Sequence, residues 1–223
     1  SPEAASKQTA APVSSVALSQ TTAATVTSSS VGDQVITKAP AVDSGFTAAL
    51  ALSKTYTDGI FSDVASDAWY AAAVQFVYEY GIMNGTAPTL FSPDGNTSRA
   101  QIITILARLS GLDTDGGETW FSKAVAWAQQ NGVSDGADPE GDVTREQFIT
   151  MLWRFAGEPK IEADTGVSMN FTDVGAISEW ALDAMKWAVS IGLLQGYSDG
   201  SIKPGDLATR AETAALIERY LKS

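Results

Sequence analysis

Beyond residue 58 the apolar positions fall into a pattern that recurs three times. The segments Trp69–Gly85, Trp120–Gly136 and Trp180–Gly196 align without gaps. Each opens on Trp and places Ala four residues later, at Ala73, Ala124 and Ala184. A large apolar side chain comes next (Val74, Val125, Met185), and an aromatic two residues beyond it (Phe76, Trp127, Trp187). This spacing describes one face of a helix. Gly81, Gly132 and Gly192 then fall where a helix C-terminus favours a left-handed residue. Gly85, Gly136 and Gly196 close the segments.

A second helix is predicted in each repeat, and its start is marked by a capping box. The boxes are Ser98-x-x-Gln101, Thr144-x-x-Gln147 and Thr209-x-x-Glu212. The hydroxyl accepts from an orphan amide while the Gln or Glu side chain reaches back to the cap. Apolar residues follow at shared offsets: Ile103, Ile149 and Ala214, then Ile105, Met151 and Leu216, then Leu106, Leu152 and Ile217. Arg108, Arg154 and Arg219 fall in the last turns, where cations suit the helix dipole. Gly111 and Gly157 stop the first two of these helices.

A pair of short helices cannot bury its apolar stripe alone, so the three units are expected to pack on one another. The expectation is a mainly α domain of three helix-loop-helix repeats with pseudo-threefold character. The repeats span residues 59–111, 112–165 and 166–223. Residues 1–58 differ in kind. They are rich in Ala, Ser, Thr and Val, hold two aromatics (Phe46 and Tyr56), and contain none of the six tryptophans. They lack the apolar mass for a core and read as an extended low-complexity linker or assembly tail. Within them Val16-Ala17-Leu18, Ala24-Thr25-Val26-Thr27 and Val35-Ile36-Thr37 are β-branched-rich segments that could add strands to a neighbour's sheet edge.

Charge and composition narrow the chemistry. Among 223 residues, 14 Lys and Arg stand against 26 Asp and Glu, a net charge of -12. Such a chain repels phosphate backbones, so nucleic acid is not an expected partner. There is no cysteine and no histidine. Disulfides, thiolate nucleophiles, Cys/His metal sites and histidine triads are therefore excluded. No uninterrupted apolar stretch reaches the length of a membrane span. The opening Ser1-Pro2-Glu3-Ala4-Ala5 reads as a mature end after cleavage of a leader.

The repeated motifs resemble the S-layer homology (SLH) domain of bacterial surface proteins. The resemblance rests on Phe61-Ser62-Asp63-Val64 and Phe171-Thr172-Asp173-Val174, and on the Trp and Gly-x-x-x-Gly of all three repeats. It extends to Gly196-Tyr197-Ser198-Asp199-Gly200, Phe91-Ser92-Pro93, Ile202-Lys203-Pro204 and Thr209-Arg210-Ala211-Glu212. The last motif is varied as Ser98-Arg99-Ala100-Gln101 and Thr144-Arg145-Glu146-Gln147. The resemblance implies a pseudo-trimeric helical spindle. Its inter-repeat grooves would bind secondary cell-wall polysaccharide, often carrying pyruvylated N-acetylmannosamine. In some diderm lineages the ligand is peptidoglycan-linked polyamine. It also implies a secreted protein at the cell surface, in an S-layer or an extracellular filament, with no reaction, cofactor or metal.

Carried onto this sequence by motif, Arg99, Arg145 and Arg210 are the anion-reading candidates. A guanidinium holds the carboxylate of a pyruvate ketal bidentately. Each lies in the first turn of a helix, where backbone amides and the dipole also favour an anion. The same arginines could instead bond carbonyls or acids between repeats. Trp69, Trp120 and Trp180 offer flat apolar surface to a sugar ring, or pack into the core as part of a helix face. Asp63 and Asp173 could accept sugar hydroxyls, orient the arginines or cap a turn. Gly85, Gly136 and Gly196 would let backbone approach a ligand. Trp127, Trp153 and Trp187 are assigned to packing.

The second repeat departs from the others. Where Phe-x-Asp-Val is expected it reads Leu112-Asp113-Thr114-Asp115. Its Trp-to-Arg separation is 25 residues against 30 in the other two. Its loop, Ala137-Asp138-Pro139-Glu140-Gly141-Asp142, is short and acidic. Acidic groups weaken an anion pocket, and on sequence order this loop bears on Arg145.

Three function classes compete. The first is a non-catalytic wall-binding module. The second is a self-assembling structural subunit whose tail pairs with neighbouring copies. The third is a glycosidase using a carboxylate pair such as Glu179 and Asp183, against which stands the ordinary solvated helix face. Asp113-x-Asp115-Gly116-Gly117 and Asp199-Gly200 lack the EF-hand ligand spacing and read as turns.

Overall fold

The computed structural model describes residues 52–161 and 168–223. The strand-forming segments expected at 16–18, 24–27 and 35–37 lie outside the described residues. Six α-helices lie within them: α1 (Ala71–Glu79), α2 (Arg99–Leu109), α3 (Ser122–Gln130), α4 (Arg145–Phe155), α5 (Leu182–Ser190) and α6 (Arg210–Lys222). Two 3-10 turns, Val174–Ala176 and Glu179–Ala181, lead into α5. The mainly helical fold class is as expected, two helices to a repeat.

Local chemistry sets the helix ends. Ser98, Thr144 and Thr209 each accept from the backbone N–H three residues on, and each N3 side chain returns the bond. A cap of this kind contributes about 1 kcal/mol. Gly81, Gly132 and Gly192 terminate the first helices at φ 66°, 68° and 72°. At the first, Ile82 N–H donates back to Val77 O at 2.8 Å, the six-to-one bond of a Schellman turn.

Helix pairing is offset from the sequence repeats. α3 packs on α2, α5 on α4, and α1 on α6, with α2 also touching α4. The first helix of each repeat thus lies on the second helix of the repeat before it, and the last repeat closes back on the first. One continuous core results. Ile103, Ile149 and Ala214, each fully buried, lie in it beside Leu106, Leu152 and Ile217. Trp187 is buried, and Trp127 and Trp153 pack against its edge, as expected.

Near the pseudo-threefold axis the backbone makes a closed triangle of hydrogen bonds. Thr97 N–H donates to Ala208 O, Ala208 N–H to Val143 O, and Val143 N–H to Thr97 O, each at 2.9 Å. Each of these residues directly precedes an N-cap, so the triangle fixes the starts of α2, α4 and α6 relative to one another. The Thr97 and Thr213 hydroxyls, both buried, meet at 3.0 Å beside it.

Residues 52–58 pack on the first repeat. Ser53 and Lys54 N–H both donate to Glu79 O, and the Tyr56 ring lies edge-on to Tyr78 with centroids 6.1 Å apart.

Candidate functional site

Each second helix sends its first-turn arginine into the loop of the following repeat. Arg99 Nε donates to Ala137 O at 2.8 Å, Arg145 Nε to Ile202 O at 3.2 Å, and Arg210 Nε to Phe91 O at 2.8 Å. The three carbonyls are equivalent. Each precedes a left-handed residue and then a proline: Asp138, Lys203 and Ser92 have φ of 44°, 50° and 57°. The turn presents a second carbonyl, that of the proline, to the same incoming helix. Ala100 N–H donates to Pro139 O, Glu146 to Pro204 O, and Ala211 to Pro93 O, at 2.7–3.0 Å. Arg99, Arg145 and Arg210 N–H donate to Gly141, Asp206 and Gly95 O.

These bonds correct the expectation that the helix starts offer amides to an anion. The N1 and N2 amides are taken by loop carbonyls and the N3 amide by the cap. Arg145 and Arg210 are themselves buried, at 6% exposure each, so what remains for a ligand is the part of each guanidinium that lines a groove. Burial pushes the Arg210 guanidinium below the ordinary arginine value, while Asp63 opposes the shift.

Asp63 and Asp173 hold the loops. Asp63 accepts from Phe91 N–H at 2.9 Å and Ser92 N–H at 2.7 Å. Asp173 accepts from Ile202 and Lys203 N–H, both at 2.8 Å. Neither lines a groove. The second repeat lacks this clamp and its loop caps itself. Asp135 Oδ1 accepts from Ala137 N–H at 3.0 Å, and Ser134 Oγ from Gly136 N–H at 3.2 Å. The Ala137 amide, with Arg99 adding to it, holds the Asp135 carboxyl below its ordinary value.

Three grooves lie between the repeats, and each is built from all three. The Trp120 groove, about 300 Å³, combines Trp120 of repeat two with Arg210 of repeat three. Repeat one supplies its walls: Asn84, Gly85, Gln101, Thr104 and Arg108. The Trp180 groove, about 190 Å³, brings Trp180 and Arg99 to Ser134, Asp135, Gln147 and Arg154. The Trp69 groove, about 310 Å³, brings Trp69 and Arg145 to Gly196, Tyr197, Glu212 and Arg219. Small-ligand pockets run from about 300 Å³ upward, so the Trp180 groove is cramped.

Trp69, Trp120 and Trp180 are exposed, at 65%, 54% and 54%. Of the two readings of these residues, core packing is the one the structure excludes. Each Trp precedes the N-cap of its helix, so the helical periodicity does not reach it. Gly85 and Gly196 line grooves, but their close neighbours are protein. A Cβ on Gly85 would lie 2.6 Å from the Phe61 ring, and one on Gly196 2.6 Å from the Phe171 ring.

The acidic loop of the second repeat faces Arg99 and not Arg145, because each arginine reaches forward by one repeat. Arg99 pairs with Asp135 at 2.9 Å, whereas Arg145 pairs with Glu212 at 3.1 Å and lies 4.9 Å from the Tyr197 ring centre. Tyr197 Oη also bonds Glu212, and burial together with that bond pushes the phenol up. Arg108, Arg154 and Arg219, which sequence position marks only as helix-dipole partners, each line a groove. The spacing of Gln101, Thr104, Ile105 and Arg108, three, one and three residues, is the signal for that shared face.

Glu179 and Asp183 are exposed and line none of the three grooves. Among the described residues no cluster of acidic side chains has metal-binding geometry, and no helix is long and apolar enough to cross a membrane.

The family model of the S-layer homology domain matches residues 60–103 and 170–214, leaving the second repeat outside both segments. Among curated proteins, an endoglucanase of Bacillus sp. (strain KSM-635) is 29% identical over 174 residues, 72% of this chain and 18% of its own. A cellulosome-anchoring protein of Acetivibrio thermocellus is 31% identical over 63% of this chain and 35% of its own. A surface-layer 125 kDa protein of Lysinibacillus sphaericus is 24% identical over 68% of this chain and 14% of its own. The matched region thus spans about a third or less of each of these relatives.

Proposed function

We propose that this chain, with S-layer homology domains at residues 60–103 and 170–214, is a non-catalytic cell-surface module that binds acidic cell-wall polysaccharide in its inter-repeat grooves. The observation that carries the reading is the threefold recurrence of one constellation. An exposed Trp from one repeat, a forward-reaching Arg from another and a helix-end Arg from the third meet in every groove. Each groove has two arginines and at most one carboxylate, within a chain of net charge -12. Local positive charge in an acidic protein selects a local anion. The exposed indole suits the apolar face of a sugar ring and the guanidinium its carboxylate. The second repeat acts in this reading as a third SLH unit with a self-capped loop. Relatives named as anchoring and surface-layer proteins support a place at the cell wall.

The test is a pull-down of the full chain with purified cell walls. The Trp69→Ala, Trp120→Ala, Trp180→Ala triple variant removes only exposed rings and is expected to lose most wall binding. Wild-type retention by that variant would sink the groove reading. A second reading, supported by the relatives named as surface-layer proteins, makes the chain a self-assembling subunit joined through residues 1–58. Assembly that vanishes on deleting residues 1–45 would support it.

A further inference from the structure

The three grooves share a plan but not a charge. The Trp120 groove holds Arg108 and Arg210 with no carboxylate in its lining. In the Trp180 groove Asp135 pairs with Arg99. In the Trp69 groove Glu212 pairs with Arg145 and also accepts from Tyr197. The difference traces to single positions. Glu212 stands where the other capping boxes carry Gln101 and Gln147. Gln serves the same N3 role, so the carboxylate is not required by the cap. A ligand carboxylate entering the Trp69 groove must compete with Glu212 for Arg145. In the Trp120 groove the bonded partners of Arg210 are neutral carbonyls, Phe91 O and Asn84 O; Asp63 acts on it electrostatically but neither bonds it nor lines the groove, so no carboxylate pairs with it there. A second difference lies in the same wall. Thr104 is 3% exposed and its hydroxyl has no partner, whereas the matching Thr150 bonds Glu146 O and the third repeat has Ala215.

We propose that the Trp120 groove is the principal carboxylate-binding groove of this chain, and that Asp135 and Glu212 are specificity-determining residues that weaken the other two for anions. The assignment rests on the wall-glycan reading above and adds a ranking to it. Each groove carries its own exposed tryptophan, so binding is readable groove by groove. The experiment titrates the ¹⁵N-labelled full chain with the methyl glycoside of 4,6-O-pyruvyl-N-acetylmannosamine, and in parallel with the same glycoside lacking the ketal. Indole N–H signals are assigned with Trp69→Phe, Trp120→Phe and Trp180→Phe.

The Trp120 signal is expected to move at about tenfold lower ketal concentration than the other two, and Glu212→Gln to bring the Trp69 midpoint down by about tenfold. Asp135→Asn, which keeps an acceptor for Ala137 N–H, should do the same for Trp180. A Trp69 or Trp180 signal that saturates first overturns the ranking. So does a Glu212→Gln variant with an unchanged or weaker Trp69 midpoint. Equal response to the ketal and its neutral counterpart leaves glycan binding standing and overturns the charge assignment. Silence of all three signals with both sugars, together with failure to bind purified walls, overturns the wall-glycan reading itself.

Discussion

Arg210 Nε donates to the carbonyl oxygen of Phe91 at 2.8 Å, across 119 residues of chain. The same guanidinium reaches Asn84 O at 2.6 Å and lies 4.7 Å from the Phe91 ring centre. One side chain therefore ties the last helix to the first repeat's loop while facing the Trp120 groove.

Truncating that tie is expected to be costly. Arg210→Gln should lower stability by about 2–3 kcal/mol, because charge-assisted bonds are lost and two carbonyls lose their donor. Arg210→Lys should not recover it, since a point charge on a flexible stem does not span two fixed acceptors. Urea unfolding of both variants checks this. Equal stability of the Lys variant and wild type would argue against the two-carbonyl geometry.

The carboxylate clamps make a graded prediction. Asp63→Ala leaves the Phe91 and Ser92 amides without their acceptor and is expected to cost about 2 kcal/mol. Asp63→Asn retains one accepting oxygen and should fall between. Hydrogen exchange at the two amides is the direct readout, with both accelerated in the Ala variant.

Tryptophans separate by place. Trp69→Ala, Trp120→Ala and Trp180→Ala should each change stability by no more than about 0.5 kcal/mol, as exposed sites do. Trp187→Ala removes a buried ring and should cost about 3–5 kcal/mol. Thermal unfolding of the four variants tests the contrast, and a large loss at Trp120 would place that ring in the core.

Acid should act on the second repeat's loop through Asp135. Its carboxyl titrates below the ordinary aspartate value, first because of the Ala137 amide. The folded state then binds this proton less readily than the unfolded chain. The associated stability is present above the unfolded value and is lost as pH falls through the folded one. The Ala137 amide signal should titrate with a midpoint under the ordinary value of about 3.9. Asp135→Asn should abolish that titration.

Helices and caps were legible because their causes are local. Ser98 and Gln101 lie three residues apart, and a reader of sequence meets both at once. The offset pairing of α1 with α6 was not legible, since nothing local to the apolar face of α1 names the last helix of the chain as its neighbour. The arginine motif was visible, but its partners lie 36, 57 and 119 residues away. That distance is why sequence order points the acidic loop at Arg145, whereas in the fold it meets Arg99. Trp69 misled for a different reason. It sits at the helical spacing of the repeat but one residue outside the N-cap, where periodicity has no hold.

The triangle of bonds among Thr97, Val143 and Ala208 bears on how such a chain can change over evolutionary time. An open stack of repeats can gain or lose a unit at either end by unequal recombination and keep its remaining interfaces. A closed ring of three cannot. Excising one unit leaves two edges that no longer meet, and inserting a fourth breaks the triangle. Copy number here is expected to move by whole threefold modules, while individual units drift freely so long as each still presents one loop and one arginine to its neighbours.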